Sequence, residues 1–301
     1  MSRTTNGRLA INLNDLLGGK GIDPQRVLVL RHRPWEPQLN KVLPWLAAEK
    51  PNLFNAYQQT QAERVEGAMK RAAHVAAFIG RETGKALFVG LYSVKGSKPI
   101  SRKQFWAIPA NVELKAFGMN GFTEEDPRPS CLWFDLALTD FYPHWKGKLI
   151  VSWPGKELSW WRWADRNVIP IHAILDEGAL DAAMPEWDAI DLTWEELGVL
   201  PTRWKSKLRE WRGIYYIFDT SDGKGYVGSA YGENNLLGRW QAYAARGHGG
   251  NRLLRQRDPR NFRFTILELA APNRDASDVI RLENSWKQRL HTCQPYGLND
   301  N

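Results

Sequence analysis

Apolar and polar positions along this chain follow first a helical period and then a two-residue period. Val27-Leu28-Val29-Leu30 is a short apolar run of the kind that makes a strand. Residues 39–48 have helical spacing, with Pro44 expected in the first turn or at a kink. The clearest N-terminal helical pattern spans residues 58–79, where Ala62, Val65, Met69, Ala72, Ala73 and Ala76 recur at intervals of three and four. From Lys85 the period changes. Residues 87–94, 104–108, 131–138, 148–153, 159–164 and 168–175 are short runs rich in β-branched and aromatic side chains, separated by Gly, Pro, Asp and Ser. Strands at this spacing predict a small barrel or a strongly curved sheet.

Residues 193–211 predict two short helices. Thr193 and Glu196 have the form of a capping box, Gly198 and Pro201 break the pattern, and Pro201-Thr202 opens a second helix to Glu210. This segment is expected to connect a domain over 1–192 with one over 212–301. In the latter, residues 213–218 alternate as a strand, 219–225 carry turn chemistry, and Tyr226-Val227-Gly228-Ser229 returns as a second strand. A hairpin of this length brings Tyr215 and Tyr226 to one end of a small sheet. Asn234 or Asn235 can cap a helix in which Arg239 and Tyr243, four apart, share a face with Trp240 beside them. Residues 261–269 read as a third strand, and Ser277 or Asp278 starts a helix containing Glu283 and Trp286. The expected fold class is α+β: a small C-terminal antiparallel sheet flanked by helices, after a β-rich, barrel-like domain that also carries helices.

Composition narrows the choices. At 301 residues, 43% hydrophobic and 25% charged, the chain is of two-domain size and not of disordered, collagen-like or coiled-coil type. No apolar run reaches membrane-spanning length, and the first residues lack the apolar stretch of a secretory signal, so a soluble, cytoplasmic protein without a membrane partner is expected. Cys131 and Cys293 are the only cysteines, which supports neither a disulfide framework nor a cysteine zinc site. The formal charge of +8 makes nucleic acid the first partner to consider. It is unevenly spread: +8 over residues 1–155, −7 over 156–200 and +7 over 201–301. That pattern reads as two nucleic-acid-facing modules around an acidic connector, or simply as solvated faces.

Of the 15 tryptophans, Trp106, Trp133, Trp145, Trp153, Trp160, Trp161 and Trp163 fall in the β-rich region. They are either core residues of a small barrel or a stacking surface for nucleobases, including one flipped out of a duplex. Trp161 and Trp163 share one face of their strand and Arg162 the other, so an aromatic pocket is expected first on that strand.

The run Gly213-Ile214-Tyr215, then Tyr226-Val227-Gly228, Arg239 early in a helix, Glu283 in a later one, and Gly297-Leu298-Asn299 near the end resembles the GIY-YIG nuclease superfamily over about the last 90 residues. The resemblance implies that Tyr215 or Tyr226 accepts a proton from the attacking water, that Arg239 grips the phosphate, and that Glu283 is the metal ligand for Mg²⁺ or Mn²⁺. A phenol ionises near pH 10, so a proton-accepting tyrosine needs positive charge from metal, Lys224 or Arg239. Many members have histidine four residues after the arginine; Tyr243 stands there in this chain and is expected to assume its role at the phosphate or in proton transfer. Gly228 permits close strand packing, and Asn299 ties the C-terminus to the site or caps it. His248, in a Gly-rich loop, is a candidate substrate contact or a solvated side chain, and Arg252, Arg255, Arg257, Arg260 and Arg263 form a candidate basic patch.

The expectation is a metal-dependent endonuclease of restriction type acting on double-stranded DNA, with the N-terminal domain selecting the target. That domain reads either a short sequence or a modified base, and the tryptophan-rich strands favour the second. A repair or homing nuclease, a DNA-binding protein without catalysis, and a homodimer that cuts both strands stay open.

Overall fold

The computed structural model describes residues 11–155, 159–181 and 183–300, and the chain divides after Asp181 into two units. In the first, α1 (Leu13–Gly18) precedes β1 (Val27–His32). Three helices, α2 (Pro37–Glu49), α3 (Pro51–Gln58) and α4 (Glu63–Met69), lead to β2 (His74–Gly80) and the long β3 (Lys85–Ser101). Then come α5 (Arg102–Trp106), α6 (Pro109–Ala116), β4 (Ser130–Leu138), β5 (Leu149–Ser152), β6 (Trp161–Trp163) and β7 (Ile171–Ile174).

These strands make one sheet in the order β6-β1-β2-β3-β5-β7, with β4 also on β3. Only β1 and β2 run parallel. β3 pairs with β2 and β5 over its first part and with β4 over its second. Register shifts in its ladders, between Ala77 and Phe78 and between Val94 and Gly96, let it bend. β6 and β7 end the order unpaired with each other, so the expected barrel is an open half-barrel.

β1 is buried along its whole length because both faces are covered. Leu28 and Leu30 pack with Leu43, Phe54 and Val65 of the helices; Val27 and Val29 pack with Leu13, Leu17 and Phe88 on the other side. Full two-sided burial also explains where the sequence pattern misleads. The helical spacing over 58–79 is split: α4 ends at Met69, Ala72 and Ala73 lie in the turn that follows, and Ala76 lies in β2, a central strand whose alternate residues enter both core clusters. Residues 104–108 are not a strand. Ser101 and Gln104 form a reciprocal capping box that starts α5 instead.

The second unit contains β8 (Asp191–Thr193), α7 (Trp194–Leu197), α8 (Thr202–Glu210), β9 (Arg212–Asp219), β10 (Gly225–Ala230), α9 (Asn235–Arg246), β11 (Phe262–Ala270) and α10 (Ala276–Arg289). Its sheet has the order β10-β9-β11-β8, antiparallel throughout. Thr193 caps α7 as its pairing with Glu196 predicts. The segment is nonetheless not a free connector: β8 pairs with β11, Arg263 donates to the Asp191 carboxylate, and the Trp194 indole N–H donates to the Tyr243 carbonyl at 2.9 Å. The acidic stretch over 156–200 is likewise shared between the units. No helix among the described residues is long and apolar enough to cross a membrane.

Alternation on β9 and β10 sorts the site's residues onto two faces. Tyr215 and Gly228 are cross-strand partners, as are Ile214 and Ser229. Ile214 and Val227 pack with Val279, Leu282 and Trp286 of α10. Tyr215 and Tyr243 of α9 meet on the opposite face, where Tyr243 and Trp240 also pack on Phe264. β10 is the edge strand, so the two faces come together along it.

Candidate active site on the C-terminal sheet

Tyr215 is 1% exposed, and its hydroxyl lies 3.1 Å from the Tyr243 hydroxyl in a buried hydrogen bond. Burial pushes both hydroxyls well above the usual phenol value. The charges of Tyr226, Arg239 and Glu283 all act on the Tyr215 phenol, Arg239 favouring the phenolate and the other two opposing it. The three tyrosines meet where β9, β10 and α9 come together, and Arg239 of α9 and Glu283 of α10 are near enough for their charges to act on Tyr215. Tyr226 is half-buried, its ring 6.4 Å from that of Tyr215, so it is the more accessible of the two motif tyrosines.

The close approach of β10 to the Tyr215 ring depends on Gly228. A Cβ at that position would collide with the phenol of its cross-strand partner, which is the physical reason for glycine in the motif. Gly249 is in the same position against the Tyr243 ring, so the loop after α9 closes over it.

Glu283 has a half-buried carboxylate with two protein donors. Ser229 donates its hydroxyl to Oε2, and Lys287 Nζ is 2.8 Å from Oε1, the two side chains of that pair being 7% and 16% exposed for Lys and Glu respectively. Neither Ser229 nor Lys287 is singled out by the motif pattern. The helical i, i+4 spacing of Glu283 and Lys287 is a signal for the second; nothing local signals the first, because its contact is made across the sheet edge. An ionised carboxylate has about four lone-pair positions, so two donors leave room for a hard cation, and the residues present fit a singly ligated, largely hydrated Mg²⁺ or Mn²⁺. No cluster of three or more His, Cys, Asp or Glu suited to a metal occurs among the described residues, so Glu283 would be the protein's ligand.

Arg239 is exposed and has no carboxylate partner among the described residues, as a phosphate-binding guanidinium requires. The candidate basic patch is different. Arg252 is paired with Asp300, Arg257 with Asp219 and Asp222, Arg260 with Asp258, and Arg263 with Asp191. Of those five, Arg255 alone has no ion pair among the described residues. The positive charge legible in the sequence is thus largely balanced locally, and the exposed pairs are the ones a phosphate can compete for.

Other expected residues have structural roles. Lys224 donates to the Pro295 carbonyl at 3.3 Å, and the cation that acts on Tyr215 is Arg239 instead. Asn299 is buried and holds both the Val227 N–H (2.9 Å) and its carbonyl (2.8 Å), acting as a one-residue strand partner on the edge of β10. His248 accepts from the Gly250 N–H through Nδ1 at 3.0 Å, which holds its own loop. Trp161 and Trp163 are partly buried. They pack against the core cluster that contains Leu28 and Leu30, while Arg162 lies over the Trp153 ring.

Residues 212–297 match the family described as the GIY-YIG catalytic domain. The second unit therefore contains a stretch that matches the GIY-YIG catalytic domain, and the match does not extend into the first unit. Among solved structures, the catalytic domain of the homing endonuclease I-TevI is similar over 30% of this chain and 98% of that one, with 28% identity and a TM-score of 0.25. No curated protein matches the chain.

Proposed function

We propose that this protein is a divalent-metal-dependent DNA endonuclease of restriction type, cutting phosphodiester bonds with its C-terminal unit and choosing the target with its N-terminal one. The observation that carries the reading is the convergence of Tyr215, Tyr226, Tyr243, Arg239 and Glu283 on one edge of a small sheet. Arg239, free of protein carboxylates, binds the scissile phosphate and offsets its growing charge. Tyr226 takes the proton of the attacking water. Tyr215 is unsuited to that step because burial holds its hydroxyl protonated; with Tyr243 it orients the site instead. Glu283, held by Ser229 and Lys287, would hold Mg²⁺ or Mn²⁺, which when bound supplies positive charge to the phosphate and the leaving oxygen.

A nuclease module of this size has little room to read sequence, so a first unit of about 180 residues is a target reader, and its aromatic richness supports readout of a modified base. The test is digestion of matched unmodified and cytosine-modified duplexes with Mg²⁺ or Mn²⁺. Cleavage of modified duplex that disappears in Glu283→Ala, with DNA binding retained, is expected. Equal cutting of both duplexes removes the modified-base reading, and undiminished cutting by Glu283→Ala removes the site assignment.

A further inference from the structure

The first unit contains a cavity of about 740 Å³ at the end of β1, lined among others by His32, Trp35, Tyr57, Phe122, Arg128 and Trp160. Its volume is in the range of small-ligand sites and has space for a nucleotide. Three observations select the ligand. Tyr57, Phe122 and Trp160 make part of the wall aromatic. His32 is 3% exposed, yet its Nε2 has no hydrogen-bond partner among the described residues, whereas buried polar atoms are normally paired. Burial lowers its pKa to about 4, so the ring is neutral at working pH and suits a polar heterocycle better than an anion. Finally, Trp35, in the loop between β1 and α2, lines the same cavity and is 79% exposed, an uncommon state for so large an apolar side chain; exposed Arg33 lines it too.

We propose that this cavity receives one nucleobase turned out of a DNA duplex, stacked among Tyr57, Phe122 and Trp160 and hydrogen-bonded by His32 Nε2, while Trp35 fills the gap left in the base stack. The proposal rests on the reading of the chain as a DNA endonuclease. It moves the expected aromatic pocket from Trp161 and Trp163 to the end of β1. Extruding a base costs its stacking and pairing, which an apolar wedge and a stacking pocket together offset.

The test uses the full chain in EDTA, so that binding is read without cleavage. The probes are duplexes with 5-methylcytosine, 5-hydroxymethylcytosine or cytosine beside a 2-aminopurine, whose emission is quenched while it is stacked. A several-fold rise in emission on at least one duplex is expected. It should be lost in Trp35→Ala, a surface substitution that does not disturb the core, and affinity for that duplex should fall about tenfold in both Trp35→Ala and His32→Gln. Binding without an emission rise on any duplex overturns the proposal, as does a rise unchanged in both variants. If the protein then still cuts DNA with Mg²⁺, the nuclease reading survives; a chain that neither binds nor cuts DNA ends both.

Discussion

Lys287→Met tests whether the Glu283 carboxylate is held by an internal cation. The pair is 2.8 Å apart and mostly buried, and Met keeps the aliphatic stem while removing the charge. Removing one partner of a fully buried pair costs about 3–5 kcal/mol; with Glu283 partly in contact with solvent and still bonded to Ser229, about 2–3 kcal/mol is the expected loss. At a urea m-value of about 1–3 kcal/mol per molar, the midpoint should fall by about 1 M. Urea unfolding of the full chain in EDTA, followed by circular dichroism, should show the loss only in the transition of the second unit. Glu283→Gln in the same background should recover about 1–2 kcal/mol, since no uncompensated carboxylate is left. Mg²⁺ should raise the midpoint of Lys287→Met more than that of wild type, because a cation at Glu283 replaces the missing charge. A variant as stable as wild type, or a double-mutant cycle additive within about 0.5 kcal/mol, refutes the reasoning.

Tyr226→Phe should lower cleavage by about 100-fold or more with DNA binding unchanged, whereas Tyr215→Phe should cost about 1 kcal/mol of stability and less rate; the reverse order in single-turnover assays would exchange the two roles. Gly228→Ala should destabilise the second unit by about 1–3 kcal/mol through collision with the Tyr215 ring, and a thermal melt equal to wild type would contradict the packing. His32 has a folded pKa near 4, below the usual imidazole value of 6.5, so its contribution is complete above pH 6.5 and is lost as pH falls toward 4. That amounts to about 3 kcal/mol, and the loss between pH 7 and pH 4 should be smaller in His32→Phe; identical pH profiles would show that His32 is not buried neutral.

Elements with one dominant local signal were legible in the sequence. β9 and β10 alternate around a turn, α7 begins at a capping box, and α10 starts within three residues of the expected caps. The candidate site residues were named from the resemblance of their order and spacing to the GIY-YIG pattern, which runs over a hairpin and two helices. Elements whose local signal is ambiguous went wrong. Small alanines fit either period, so β2 reads as helix until β1 and β3 flank it. β8, three residues long, exists only because β11 offers it an edge.

By itself, then, the amino-acid order determined a hairpin carrying Tyr215 and Tyr226 followed by helices carrying Arg239 and Glu283, because local periodicity and short turns place these elements, and their order is what resembles the GIY-YIG pattern. Tertiary structure decided what local order does not encode. It buried Tyr215 and left Tyr226 accessible, attached Ser229 and Lys287 to Glu283, and neutralised most of the arginine patch with distant aspartates. It also packed Trp161 and Trp163 against the core while setting Trp35 and His32 beside a cavity. Apart from the i, i+4 pair of Glu283 and Lys287, each of these outcomes depends on contacts between segments far apart in the chain, and exposure and pairing follow from those contacts rather than from residue type.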